Sequence, residues 1–238
     1  MSDTETSWRV LEHGPLSALS ENLWHASGAL SFGTLRRNMT IAKRADDTLV
    51  VHSAIAMNDA EMKAIEKLGN LAFLIVPNGW HRLDAVKYKR RYPQLKVFAP
   101  AGAKERVGKI MRVDGVYEDF PNDDVVKLET LPGIGEAEGV MTVRSGDGTT
   151  LVLNDVMFNM DTKKDFPAWF FTTLMGSAPG PRISRLIKVL MVKNRTDLRA
   201  ALERLANTPN LQRLVVAHEK IATGSDAAAA LRTAATFL

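Results

Sequence analysis

Four places in this chain put a histidine, aspartate or asparagine directly after an apolar run. They are Val50-Val51-His52, Ile75-Val76-Pro77-Asn78 with His81 just behind, Val152-Leu153-Asn154-Asp155, and Val215-Val216-Ala217-His218. Short apolar runs of this kind read as buried strands. Each polar residue therefore stands at a strand end, and strand ends can converge on one rim of a sheet. Imidazole and carboxylate suit zinc, iron or manganese where no thiolate is present, and the chain has no cysteine. A catalytic zinc needs about three protein ligands and an open position. His81, Asp155 and His218 suffice in kind and number. Their spacing contains no His-x-His and no His-Glu-x-x-His run, and each histidine taken singly reads more simply as a hydrogen-bonded structural residue. The residues alone leave a metal site and a metal-free polar cluster side by side.

The stretch that organises these positions is 71–92. Leu71–Val76 reads as a buried strand ended by Pro77. A Pro77-Asn78-Gly79 turn follows, and a helix is expected from Trp80 to just before Pro93. Asn78, Trp80, His81, Arg82 and Asp84 then lie where a strand's carboxyl end feeds a helix, the edge at which open α/β sheets bind ligands. Leu83, Val86 and Tyr88 are expected to face inward, and Lys87, Lys89, Arg90 and Arg91 to form a solvated face.

Around this unit, Met39–Lys43 and Thr48–His52 flank an Ala45-Asp46-Asp47 hairpin loop. Asn58 with Glu61 has capping-box spacing, and Gly69 is the expected left-handed stop of that helix. Lys96–Ala99 and Ala103–Met111 add a strand and a helix. Val125–Leu131, Gly139–Arg144 and Thr149–Leu153 read as further strands. Helices follow over Ser184–Val192, Thr196–Ala206 and Ser225–Phe237, with Leu211–Ala217 as the last strand. This alternation argues a layered α/β architecture in one domain over residues 1–238, with residues 1–7 a loose end. The 160–181 stretch reads first as a packed surface loop with a short helix, and second as a lid or partner contact. Glu136 and Glu138 read as solvated loop carboxylates.

A hydrophobic content of 45% leaves room for a sizeable core, and the net charge of +4 permits an anionic ligand without demanding one. No aromatic-and-basic motif accompanies that charge, so nucleic acid is not an expected partner. No phosphate-binding glycine loop, dinucleotide fingerprint or nucleophile elbow is present. No stretch reaches the ~20 apolar residues of a membrane span. The absence of cysteine and of an opening apolar segment point to a cytoplasmic protein.

The order of the pieces Arg37–Ile41, Leu49–Ser53, Leu68-Gly69, Ile75–His81, Tyr92-Pro93, Leu153–Asp155 and Val216–His218 resembles the metallo-β-lactamase-like fold. More closely, it resembles a family of bacterial and plant proteins of unassigned function that look like degenerate members of that fold. The resemblance runs from Leu23 to Leu238. It implies a four-layer αββα sandwich with a site on one rim. In active members the turn after the central strand carries Thr-His-x-His-x-Asp-His. Aligned there, Asn78 and Trp80 replace two histidines, Arg82 the aspartate and Leu83 the last histidine, with His81 between ligand positions. Ile134 takes the place of the histidine in a Pro-Gly-His loop. Asp155 matches the aspartate that bridges two metals, and His218 matches the final histidine.

This pattern implies at most one metal, since Ile134 and Arg82 cannot donate electron pairs and Arg82 would repel a second dication. The expected site is mononuclear, with zinc, iron or manganese on His81, Asp155 and His218 and with His52 as a supporting residue or fourth ligand. The activity implied is hydrolysis of an ester, lactone or phosphoester, with His52 or Asp155 taking the proton. The alternative is a metal-free pseudoenzyme that binds a small anion or a protein partner through Arg36, Arg37, Arg82 and the 160–181 loop.

Overall fold

The structure is a computed structural model that describes residues 7–31 and 33–238. The loose end expected for residues 1–7 lies, but for Ser7, outside the described residues. Seven strands form a first sheet in chain order: β1 (Ser17–Ser20), β2 (Leu23–Ala29), β3 (Arg36–Lys43), β4 (Thr48–His52), β5 (Asn70–Ile75), β6 (Lys96–Ala99) and β7 (Gly115–Val116). The β1 to β4 neighbours are antiparallel, and the pairs from β4 to β7 are parallel. Parallel neighbours need a crossover, and α1 (Asp59–Glu66), α2 (Ala85–Arg91) and α3 (Ala101–Gly108) supply it. The second sheet has the order β12 (Ala222–Thr223), β11 (Leu211–Val215), β10 (Gly148–Val152), β9 (Gly139–Ser145) and β8 (Val126–Thr130). Beside it run α4 (Phe166–Trp169), α5 (Arg185–Leu190), α6 (Arg195–Ala206) and α7 (Ser225–Ala235).

Side-chain alternation along the strands builds the four layers. Met39, Ile41, Leu49 and Val51 point outward from the first sheet and pack with Met62 and Ile65 of α1 and Tyr88 of α2. Ala42, Val50, Phe73 and Phe98 point the other way and meet Leu128, Met141, Val143 and Val152 of the second sheet. The outer face of the second sheet packs Leu151 and Leu214 on Leu198, Leu202 and Leu231 of α6 and α7. Each large apolar side chain buried this way contributes roughly 1.5–3 kcal/mol. The result is the αββα sandwich. Among the described residues no helix is long and apolar enough to cross a membrane.

Several local expectations need correction. The helix expected from Trp80 begins at Ala85. The Asn78 side-chain oxygen accepts the backbone N–H groups of Trp80 at 2.8 Å and His81 at 2.9 Å, a local turn that competes with the helix. Leu83 consequently falls outside the helix and is 43% exposed rather than inward. Gly69 is not a left-handed stop; a Cβ there would collide with the Asp47 carbonyl, so close backbone approach requires the glycine. Lys87 is buried, not on the solvated face. The Asn58 cap is present, bonding the Glu61 N–H at 3.0 Å, while the Glu61 carboxylate goes to Leu16 instead of back to Asn58.

Lys87 is buried because of Asp84. That carboxylate pairs with Lys87 at 2.6 Å and with the Arg37 guanidinium, and accepts the Ala56 N–H at 3.0 Å. Arg37 also donates to the Ala54 carbonyl at 3.0 Å. One buried anion thus ties β3, the β4–α1 loop and the start of α2 together. We predict that Asp84→Ala, which leaves two buried cations without their anion, lowers stability by about 3–5 kcal/mol. Breaking the exposed Glu105–Lys109 pair is expected to change it by less than about 0.5 kcal/mol. Urea unfolding of the two variants checks both values.

Candidate metal centre

His81, Asp155 and His218 meet at one rim, where the carboxyl ends of β5, β10 and β11 open into loops. The Asp155 Oδ1 lies 3.2 Å from Nε2 of His81 and 3.5 Å from Nε2 of His218. One ligand atom from each residue falls within 4.8 Å of the others, and among the described residues this is the group so arranged. The two rings stand edge to face at 5.1 Å.

Each of the three side chains is held from behind. His218 Nδ1 donates to the Arg36 carbonyl at 2.8 Å, so its Nε2 faces Asp155. The segment carrying His218 is fastened to β3 by the Asn38 N–H on the Ala217 carbonyl at 2.7 Å and the Asn38 amide on the Val216 carbonyl at 2.9 Å. His81 Nδ1 lies 3.2 Å from the Ser53 hydroxyl. The Asn78 amide donates to Asp155 Oδ2 at 2.9 Å, leaving Oδ1 toward the two rings.

A residue that the sequence gives no functional reason to choose holds this arrangement. Glu138, expected in solvent, is fully buried. Its carboxylate accepts the backbone N–H groups of Asn154, Asp155 and Val156 at 2.8, 2.9 and 3.1 Å, and the Asn78 amide at 3.1 Å. The available signal was its position immediately before the strand Gly139–Ser145, where a buried neighbour is expected. Burial and the Asp155 charge push Glu138 up to about 8, against the pull of the donors around it. For Asp155 burial acts upward as well, but the facing His81 and His218 rings outweigh it and hold the carboxyl well below the usual carboxylate range.

Among the other candidates, His52 is 2% exposed and does not line the cavity. Burial, helped by the His81 charge, lowers its pKa to about 3. Trp80 lines the cavity mouth. Arg82 turns away, donating to the Arg106 carbonyl at 2.7 Å, so it does not bring charge to the metal position as the alignment implied. Asp84 is engaged with Arg37 and Lys87. Ile134 is buried in the outer core. Arg36 faces Ser27 and Glu12, and Arg37 faces Asp84. Among the described residues no lysine or arginine lines the cavity.

That cavity, of about 400 Å³, opens above the cluster. The 160–181 stretch forms α4 and a π turn at Phe170–Leu174, and delivers Phe171 into the cavity wall. Phe158 stacks on His218 with centroids 6.0 Å apart, and Phe171 meets its edge at 6.1 Å.

The donors fit a divalent cation. In a tetrahedral site with metal–donor bonds of about 2.0–2.1 Å, neighbouring donors lie about 3.3 Å apart. Two of the three separations, 3.2 and 3.5 Å, bracket that value, and the two histidine nitrogens lie within 4.8 Å of each other. The Arg36 carbonyl on the remote nitrogen of His218 and the Asn78 amide on the free oxygen of Asp155 are outer partners of the kind that orient metal ligands.

No protein-family model matches the chain, and no curated protein matches it in sequence. Solved structures do. The chain is similar to the metallo-β-lactamase of Hirschia baltica at 16% identity, over 92% of this chain and 97% of the other, with a TM-score of 0.57. It is similar to the DIM-1 metallo-β-lactamase exposed to ceftazidime at 12% identity, over 96% and 98%, with a TM-score of 0.64. It is also similar to the FIM-1 metallo-β-lactamase of Pseudomonas aeruginosa in its mono-zinc form, at 11% identity over 97% and 98%, with a TM-score of 0.57. The chain has a metallo-β-lactamase-like fold.

The buried His52 makes stability depend on pH. Below about pH 6.5 the unfolded chain takes up a proton that the folded chain refuses until about pH 3. The His52 contribution is therefore complete above about pH 6.5 and is lost as pH falls toward about 3, by roughly a few kcal/mol. His52→Phe is expected to flatten this part of the acid limb. Urea midpoints of both proteins at several pH values across that window check it; parallel profiles would count against the assignment.

Proposed function

We propose that the chain is a hydrolase-like protein with a single divalent metal held by His81, Asp155 and His218. The observation that carries this reading is the geometry of the three donors: two outward-facing Nε2 atoms and one carboxylate oxygen at metal-ligand separations, each fixed by an outer partner. A bound zinc, iron or manganese ion would supply Lewis acidity for hydrolysis near neutral pH. Positions where a second ion would need ligands carry Trp80 and Leu83 at the cavity mouth and Ile134 in the core, which supports one ion rather than two.

The chain's own groups divide the remaining work. Asp155 stays ionised beside both rings, with Oδ1 turned to the two imidazoles and Oδ2 accepting the Asn78 amide, so its part is that of a ligand rather than of a proton acceptor. His52, buried and neutral, lies off the cavity. Phe158 and Phe171 pack on His218 and keep water from its flank.

A metal-free reading has one observation in its favour. Asp155 already has the Asn78 amide and both imidazoles as partners, a polar set that is satisfied without an ion when the rings donate. Elemental analysis of protein purified without chelator or affinity tag separates the two. The metal reading predicts one equivalent of zinc, iron or manganese, absent from His218→Ala and from Asp155→Ala. Asn78→Ala keeps all three ligands and is expected to weaken metal binding by about 10–100-fold. Absence of metal, with none taken up on incubation, would retire the hydrolase reading in favour of a ligand-binding pseudoenzyme.

A further inference from the structure

Of the nine large apolar side chains that stand exposed among the described residues, six belong to residues 166–190: Phe166, Trp169, Phe170, Leu174, Val189 and Leu190. Phe166 and Val189 are 75 and 78% exposed, so little of the chain covers them. Exposed apolar side chains scattered singly need no account, but this concentration on two adjoining segments marks an interaction surface. The α4 helix and the π turn supply four of the six, and α5 supplies Val189 and Leu190. The Arg185 N–H donates to the Met175 carbonyl at 3.0 Å and fastens the two segments together. Phe166 and Trp169 stack with centroids 6.5 Å apart. Leu190 carries the patch to the cavity mouth, where Trp80 and Leu83 are also exposed.

The charge on these segments has one sign. Residues 166–195 contain Arg182, Arg185, Lys188, Lys193 and Arg195 and no aspartate or glutamate. Arg182, Arg185 and Lys188 share a recess of about 260 Å³ with Thr173 of the π turn, and no aspartate or glutamate lines it among the described residues. Two of these cations donate to neutral oxygens, Arg182 to the Ala178 carbonyl at 2.8 Å and Lys188 to the Phe237 carbonyl at 3.2 Å. At 3.6 residues per turn, Arg185, Lys188 and Val189 share one side of α5. Cationic groups and exposed hydrocarbon are therefore interleaved on one face.

That combination decides between occupants. A second copy of the chain in a two-fold interface would bring the cationic patch against itself, with no carboxylate in residues 166–195 to offset it. Nucleic acid offers phosphates but no hydrocarbon for Leu174, Val189 and Leu190. An anionic lipid surface offers both: phosphate to the cationic recess, and acyl chains to apolar side chains that sink about 5–10 Å into the headgroup boundary. Tryptophan is favoured at that boundary. We infer that this face docks on an anionic phospholipid surface. The contact is peripheral, since no helix among the described residues is long and apolar enough to cross a membrane. It uses none of His81, Asp155 and His218, and so stands apart from the metal reading.

Co-sedimentation of the full-length protein with lipid vesicles tests this. Vesicles of phosphatidylcholine with about 30% phosphatidylglycerol are expected to bind it at least about tenfold more tightly than phosphatidylcholine alone, and about 0.5 M salt to remove most of that difference. Arg185→Gln combined with Lys188→Gln is expected to weaken binding to the anionic vesicles by about 20-fold, or about fivefold for each cation. Phe166→Ser combined with Trp169→Ser is expected to weaken it by about tenfold, and Val189→Ser alone by about threefold. Urea midpoints are measured alongside, and Val189→Ser, the most exposed of these positions, carries the apolar test if the aromatic pair alters folding. Equal binding to both kinds of vesicle, or binding that the apolar variants leave unchanged, would overturn the inference. So would failure to bind either vesicle, whether the face instead pairs two copies in sedimentation velocity or binds a DNA duplex.

Discussion

The buried carboxylate of Glu138 is the constraint on which the site depends. It gathers three consecutive backbone N–H groups of the loop after β10 and the side-chain amide of Asn78. The first three contacts fix the backbone that carries Asp155. The fourth fixes Asn78, whose oxygen in turn shapes the turn that carries Trp80 and His81. Two loops from different sheets are therefore referenced to a single buried carboxyl group. Such a group is expensive to bury unless its polar atoms find partners, as they do here. The same logic is repeated on the other side of the first sheet, where Asp84 gathers Arg37, Lys87 and the Ala56 N–H.

These two buried carboxyl groups also mark where the sequence ceases to be informative. Apolar runs such as Leu71–Val76 and Leu151–Leu153 are local signals, and they read correctly as strands because both faces of each sheet are covered. The convergence of His81, Asp155 and His218 is partly legible for the same reason, since each follows a strand that must end at a rim. The helix start at Ala85 is not legible. It depends on the Asn78 oxygen capturing two N–H groups, a contact that competes with the intrinsic helical preference of residues 80–84. Glu138 and Lys87 mislead because charge normally means solvent; the donors around Glu138 are distant in sequence, and the Asp84 beside Lys87 is buried by Arg37 of a distant strand. Gly69 reads as a helix stop, whereas the nearby carbonyl of Asp47 decides it.

The fold and the cavity bear on function in different ways. A metallo-β-lactamase-like sandwich supplies a rim where strand ends meet, and says little about what is done there. The side chains at this rim differ from a metal-rich site in a consistent direction. Where more donors would be needed, apolar groups line a cavity or fill the core: Trp80 and Leu83 at the mouth, Ile134 behind. The cations expected near the site are used elsewhere, Arg82 on the end of α3 and Arg37 on Asp84. What remains at the floor is a compact His–Asp–His set under hydrocarbon walls.

The central claim is that these three side chains form one preformed metal position. Anomalous diffraction from a crystal soaked in zinc measures it directly. A single anomalous peak is expected about 2 Å from His81 Nε2, Asp155 Oδ1 and His218 Nε2, with the Asn78 and Glu138 contacts unchanged. Two peaks at the rim, or a peak elsewhere with the three side chains still hydrogen-bonded to one another, would contradict it.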